Sequence, residues 1–180
     1  MVQFCYATLA GIKTGSLFSG EFASEREAID AVRLWNEELA DKGVCLVPLR
    51  MSGTRALIYV YRKEMLNREL SRPEVAEFLT QYDYDRQRTG CALRTLKSRF
   101  EKSGEFPHEI GVFLGYPLGD VKGFIENKGK NCKCTGCWKV YCDKCKAEET
   151  FARFKRCKRE YLRLWKSGRS IQQLTVKRSC

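Results

Sequence analysis

The sequence contains no apolar run near the 18 residues that a membrane helix needs, so no membrane span is expected. The opening stretch, MVQFCYATLAGIKTGSLFSG, lacks a basic lead and a long apolar block, and no secretory signal is expected from it. Internal repeats and low-complexity segments are missing, which excludes solenoid and linker-rich architectures. No helix-turn-helix and no aromatic RNA-binding signature is present. Imidazole is confined to one place, because His108 is the only histidine.

Cysteine, by contrast, is plentiful, with ten in 180 residues. In a cytoplasmic chain these are expected as thiols rather than disulfides. Cys45, Cys91 and Cys157 sit in apolar patterns and read as small core residues. A chain of this length, 43% hydrophobic and 31% charged, fits one globular domain with its own core. A net charge of +11 is unevenly spread. Residues 1–121 carry 16 Lys and Arg against 17 Asp and Glu, a balance of −1. Residues 122–180 carry 17 against 5, a balance of +12. The basic last third points to an anionic partner: nucleic acid, a phosphorylated or carboxylated small molecule, or an acidic protein. A solvated face that aids solubility is the alternative.

Hydrophobic periodicity places most elements. Residues 2–9 alternate loosely and read as a first strand, followed by a loop at 10–16. In that loop, two glycines and Lys13 could hold an anion. Residues 24–42 read as a helix, opened by the Ser24/Glu27 capping pair and ended by Gly43. Ala28, Val32, Trp35 and Leu39 share one of its faces. Residues 44–50 and 56–62 read as strands of a hairpin, with Pro48 placing the first at an edge. Three helices are expected at 63–70, from Pro73, and at 87–102. The continuous apolar run at 110–114 suits a buried strand, turning through Gly115-Tyr116-Pro117 into a helix at 118–126. Strand, turn and helix in that order would set loop residues at a strand's carboxyl end, where ligands of open α/β sheets sit. Residues 138–141 suit a further short strand. A long amphipathic basic helix spans 144–166, and a short turn at 170–174 precedes a tail at 175–180 expected to be flexible. The fold class is α/β or α+β: a small mixed sheet of about five strands with helices packed on it.

The stretch 104–145 carries the chemistry. It ends in Cys132-x-Cys134-x2-Cys137-x4-Cys142-x2-Cys145. The two C-x2-C pairs, Cys134 with Cys137 and Cys142 with Cys145, supply four thiolates, enough for a tetrahedral zinc or iron site. Free thiols and a redox pair of Cys134 and Cys137 stay open as alternatives. The lysine-rich surroundings are expected to lower the thiol pKa values. His108 precedes the apolar run and stands next to Glu109, a pairing able to donate, accept or ligate. A purely structural histidine is the other reading.

The run FPHEIGVFLGYPLGDVKGFIENKGKN, with CTGCWKVY, the closing IQQLTV and the opening CYATLAGIKTGSLF, resembles the bacterial family called domain of unknown function 3793. The resemblance covers nearly the whole chain. It implies an intracellular protein of anaerobic bacteria, associated with iron and flavodoxin-type genes. The family pattern marks Cys5, Thr8, Leu9, Lys13, His108, Glu109, Gly115, Tyr116, Pro117, Cys134, Cys137 and Trp138. It omits Cys132, Cys142 and Cys145, and it has proline where this chain has Ala7. A family-wide site would then draw on Cys5, His108, Cys134 and Cys137.

Together these readings give an expected function. The chain is a metal-linked or thiol-redox protein acting on or binding a small, anionic molecule. His108, Glu109, Cys5 and Lys13 are the catalytic candidates and Tyr116 a cofactor contact, with zinc or iron as candidate metals. The alternative is a non-enzymatic module whose basic C-terminal helix binds nucleic acid or an acidic protein.

Overall fold

A computed structural model describes residues 1–84, 89–102 and 106–177. A three-stranded sheet forms the middle layer: β1 (Gly15–Glu21), β2 (Val44–Ser52) and β3 (Arg55–Arg62), in the order β1-β3-β2. Both pairings are antiparallel. The expected hairpin is β2–β3, and Pro48 does lie on an edge strand, with a register shift between Pro48 and Arg50. An edge position and a bulge are where a residue without an N–H does least harm to a ladder.

Strand β3 shows why helices cover both faces. Ala56, Ile58 and Val60 point to one side, where they pack with residues of α1 (Val2–Leu9) and α2 (Glu25–Leu39). Tyr59 and Tyr61 point to the other, toward α3 (Lys63–Leu70), α4 (Pro73–Thr80), α5 (Thr89–Lys102) and α6 (Ile110–Phe113). The period of two thus separates two cores. Beyond α6 come α7 (Leu118–Glu126), a two-stranded hairpin of β4 (Cys134–Thr135) and β5 (Lys139–Val140), the long α8 (Lys144–Lys166) and α9 (Ile171–Leu174). Five strands are present among the described residues, divided three and two and all antiparallel. No helix there is long and apolar enough to cross a membrane.

Several elements differ from the sequence reading. Residues 2–9 form α1, not a strand. Val2, Cys5 and Leu9, at i, i+3 and i+7, are all buried, so the helical stripe wins over the loose alternation. The second strand that pairs with β3, on the side away from β2, is β1, which the sequence reading treats in part as loop. Its small residues are what the pairing demands: a Cβ on Gly15 would lie 2.4 Å from the Tyr59 ring. Residues 110–114 hold a short helix, not a buried strand. Leu114 N–H donates to Ile110 O at 2.9 Å and Gly115 N–H to Val112 O at 2.9 Å. A five-residue apolar run has no readable period, and here the backbone closes its bonds locally. The start of the helix expected at 87–102 lies outside the described residues, which take it up at Thr89.

Two buried charges tie the layers together. Arg62 donates to the carbonyls of Thr8 (2.8 Å), Lys42 (2.9 Å), Val176 (2.7 Å) and Leu9. Two of these are carbonyls at the end of α1, where the helix dipole favours a cation. Val176 N–H also donates to Leu9 O at 3.0 Å. Val176, expected in a loose tail, is therefore fastened to α1, and Thr175 before it bonds back to Ile171 and Gln172 of α9. The last three residues of that tail lie outside the described ones. Glu109, 1% exposed, accepts from Arg99 Nε at 2.5 Å and Tyr84 Oη at 3.0 Å.

Candidate functional site

The region around the α6–α7 turn is built on one carboxylate. Asp120 is buried in the first turn of α7. Its Oδ1 accepts from the backbone N–H of Tyr141 and of Cys142, both at 2.8 Å. Its Oδ2 accepts from Trp138 Nε1 at 2.7 Å. One side chain thereby holds the cysteine-rich hairpin against α7 on both sides of β5, at Trp138 before it and at Tyr141 and Cys142 after it. Glycines make the close approach possible: a Cβ on Gly119 would lie 2.4 Å from Cys142 Sγ, and one on Gly136 would lie 2.2 Å from the Phe151 ring.

Trp138, so held, stacks on Tyr116 with centroids 5.0 Å apart and planes at 27°. The edge of Phe151 meets Trp138 at 4.5 Å. Tyr116 Oη donates to Cys137 O at 3.2 Å, a second fastening of the hairpin. The Tyr116–Trp138 pair separates two clefts. The first, of about 360 Å³, opens among the α1–β1 loop, the hairpin and the first turns of α8. Lys13, Lys146 and Arg153 give it positive charge, and Met65, Tyr116, Trp138 and Phe154 give it apolar walls. The second, of about 330 Å³, is lined by aliphatic side chains and by the rings of His108, Phe106 and Phe124.

Lys13 is the distinctive group of the first cleft. Its Nζ sits over the Tyr116 ring, 5.1 Å from the centroid. Among the described residues it meets no carboxylate and no hydrogen-bond acceptor. Burial lowers its pKa to about 8, against the smaller opposing pull of Cys137 and Cys5. The cleft's two carboxylates are committed elsewhere. Asp120 is taken by three N–H donors, and Asp143 caps α8 by accepting from Lys146 N at 3.0 Å.

The structure brings together only part of the expected set. Lys13, Tyr116 and Cys142 line the first cleft, and Cys137 lies beside it, close enough to act on the charge of Lys13. Cys5 is fully buried in the core beneath, and burial pushes its thiol up to about 12. His108 is on the far side of the aromatic wall, exposed, with its ring 4.9 Å from that of Phe124. Glu109 points the other way, into the Arg99–Tyr84 cluster, as adjacent residues at a helix start tend to do. Cys134 stands on β4 opposite Val140, and Cys145 is exposed at the start of α8. No group of three or more His, Cys, Asp or Glu side chains among the described residues is placed to hold a metal ion.

Nor do lysines activate the two thiols at the first cleft, Cys137 and Cys142. Burial raises Cys137, and Lys13 and Lys158 only soften that rise. Cys142 is also raised, first by burial and then by the neighbouring Asp120 charge. The expectation of lowered thiol pKa values counted cations in the sequence but could not weigh desolvation.

Asp120, Lys146 and Arg153 have no site role in the sequence reading. Asp120 gives one faint signal, an acid in the first turn after Gly-Tyr-Pro, which reads as an ordinary helix-dipole residue. Lys146 and Arg153 read as part of a uniform basic face, and only the fold turns them toward Lys13.

Two outcomes are expected. Asp120→Asn keeps the acceptor for the two backbone amides but turns an NH2 toward the Trp138 indole N–H. It should lose about 2 kcal/mol of stability in urea unfolding, and removing the neighbouring charge should make the exposed Cys142 thiol react faster in thiol titration. A depressed lysine pKa means the unfolded chain binds more protons between pH 8 and 10.5, so Lys13 makes stability rise with pH across that window. Cys5 and Cys157, raised to about 12 and about 11, act in the opposite sense above pH 9. The difference between wild type and Lys13→Met isolates the lysine: the variant should be the more stable at pH 7, its advantage fading toward pH 10.5.

No curated protein and no solved structure matches this chain. A family model does, along residues 1–175, and its description is protein of unknown function (DUF3793). The sequence resemblance and the family match thus agree, and the chain belongs to the DUF3793 family.

Proposed function

We propose that the chain binds a small anionic molecule, phosphorylated or carboxylated and carrying a flat apolar part, in the cleft at Lys13. The observation that carries this reading is a largely buried lysine with no acceptor among the described residues. Such a cation costs stability in the free protein, and a bound anion offsets that cost. Lys146 and Arg153 add charge at the same cleft, while Tyr116, Trp138 and Phe154 supply surface for a ring. The volume suits a metabolite rather than a polymer. Of the wider expectation, metal-linked or thiol-redox chemistry on a small molecule, the small-molecule part has the geometric support, with Cys142 in the cleft lining and Cys137 near enough to act on Lys13.

Calorimetry with a panel of nucleotides, sugar phosphates and aromatic carboxylates tests this. At least one should bind, and Lys13→Met should weaken it by roughly tenfold to a hundredfold, as expected for one charge-assisted contact. Equal binding by wild type and Lys13→Met would remove the reading.

A second reading rests on α8. Lys155, Arg156, Arg159 and Lys166 are exposed there and form no ion pair among the described residues, whereas Arg163 is paired with Glu160. This strip suits a polyanion, nucleic acid first. If about four phosphates are neutralised, affinity for a single strand should fall with salt on a log–log slope near −3. A gel-shift series showing no binding even at low salt would end it.

A further inference from the structure

We propose that Lys13 is a carbonyl-capturing amine: the cleft takes an anionic aldehyde or ketone, and Nζ forms an imine with its carbonyl carbon. This rests on the anion-binding reading and adds the substrate class and the reacting atom.

Position is the first argument. Lys13 lies at the end of a tightly bonded turn: the N–H groups of Ile12 and Lys13 both donate to Ala7 O, at 3.0 and 3.1 Å. Gly11, with φ at 71°, lets the chain reverse there. On the other side Arg62 N–H donates to Thr14 O at 2.9 Å, fixing the lysine's neighbour to β3. The amine is thus carried into the cleft by backbone held at both ends.

Its surroundings are the second. A lysine meant to serve as a permanent charge commonly meets a carboxylate, as Lys144 does with Glu148 at 3.8 Å. Lys13 instead faces the Tyr116 ring and the cleft, beside apolar walls that disfavour an ammonium ion. At the low pKa already described, roughly one-tenth of the side chain is the free amine at pH 7, against about one part in three thousand for an ordinary lysine. Lys146 and Arg153 are further cations at the same cleft, which hold the anionic end of a substrate once the Lys13 nitrogen has reacted with the carbonyl.

The chemistry balances without an added redox partner. The lone pair of neutral Nζ attacks the carbonyl carbon, a C–N bond forms, and one N–H proton passes to the oxygen to give a carbinolamine. The C–O bond then breaks, and the oxygen leaves as water with the second nitrogen proton. The product is a neutral imine, which captures a proton to become an electron-withdrawing iminium.

Pyridoxal 5′-phosphate is a suitable probe, because it joins an aldehyde, a phosphate and a flat ring. The full chain is incubated with it, reduced with borohydride and mapped by mass spectrometry. Pyridoxine 5′-phosphate, which lacks the aldehyde, is run by calorimetry in parallel. The expected result is a first adduct on Lys13, formed at least about tenfold faster than on any surface lysine. Lys13→Arg, checked for folding by circular dichroism, keeps a cation but has no amine to attack a carbonyl: it should bind pyridoxine 5′-phosphate more tightly than Lys13→Met does and lose the fast adduct. Labelling spread evenly over surface lysines, with pyridoxine 5′-phosphate still bound in a Lys13-dependent way, overturns the imine and leaves the anion site standing. No binding of either compound, and no binding across the anion panel, overturns both.

Discussion

The Asp120 carboxylate is the contact on which this site depends. It is an acid placed where three N–H groups converge, two from the residues just after the outgoing strand of the hairpin and one from the Trp138 indole. Hydrogen bonds to an ionised acceptor are the stronger kind, and a buried carboxylate requires several of them. The hairpin itself has only two residues in each strand, too few to stand alone. Without Asp120 it would have little to fix it against α7, and the Tyr116–Trp138 wall would lose one of its two rings. Both clefts are bounded by that wall, so a single side chain sets the shape of each.

Lys13 and Asp120 make a useful contrast. Both are ionisable groups withdrawn from water, yet one is saturated with hydrogen-bond partners and the other, set over the Tyr116 ring, meets no acceptor among the described residues. A saturated charge is a structural tie, which is also the character of Glu109 with Arg99 and Tyr84, and of Arg62 with its four carbonyls. An unsatisfied one destabilises the free protein, and it persists where binding or chemistry uses it. By this criterion the described structure separates its charged residues into scaffold and site without reference to any relative.

The cysteines illustrate how spacing misleads. Two C-x2-C pairs suggest a common ion, but the fold gives Cys134 to a short strand, Cys142 to a contact with Gly119 and Asp120, and Cys145 to an exposed helix start. Cys5 lies in the core, where a thiol is a small apolar group. His108 and Glu109, neighbours in sequence, face different environments because successive residues entering a helix diverge by about 100°. A cluster in one dimension is not a cluster in three.

The sequence by itself determined the elements whose signals are local. The helices at 63–70, 118–126 and 144–166 follow from apolar periodicity and their end residues, the β2–β3 hairpin from two β-branched runs around a turn, and the basic last third from simple counting. These depend on interactions within a few residues. The tertiary structure decided the rest: that 2–9 is a helix, that the plain segment 15–21 is a strand, and that 110–114 coils rather than extends. It also decided that Lys13, one of 33 cations, lies in a cleft against the Tyr116 ring with no acceptor among the described residues. The physical reason is that short apolar runs and isolated charges have no conformation or pKa of their own. Burial, pairing and desolvation by residues far away in the chain assign them.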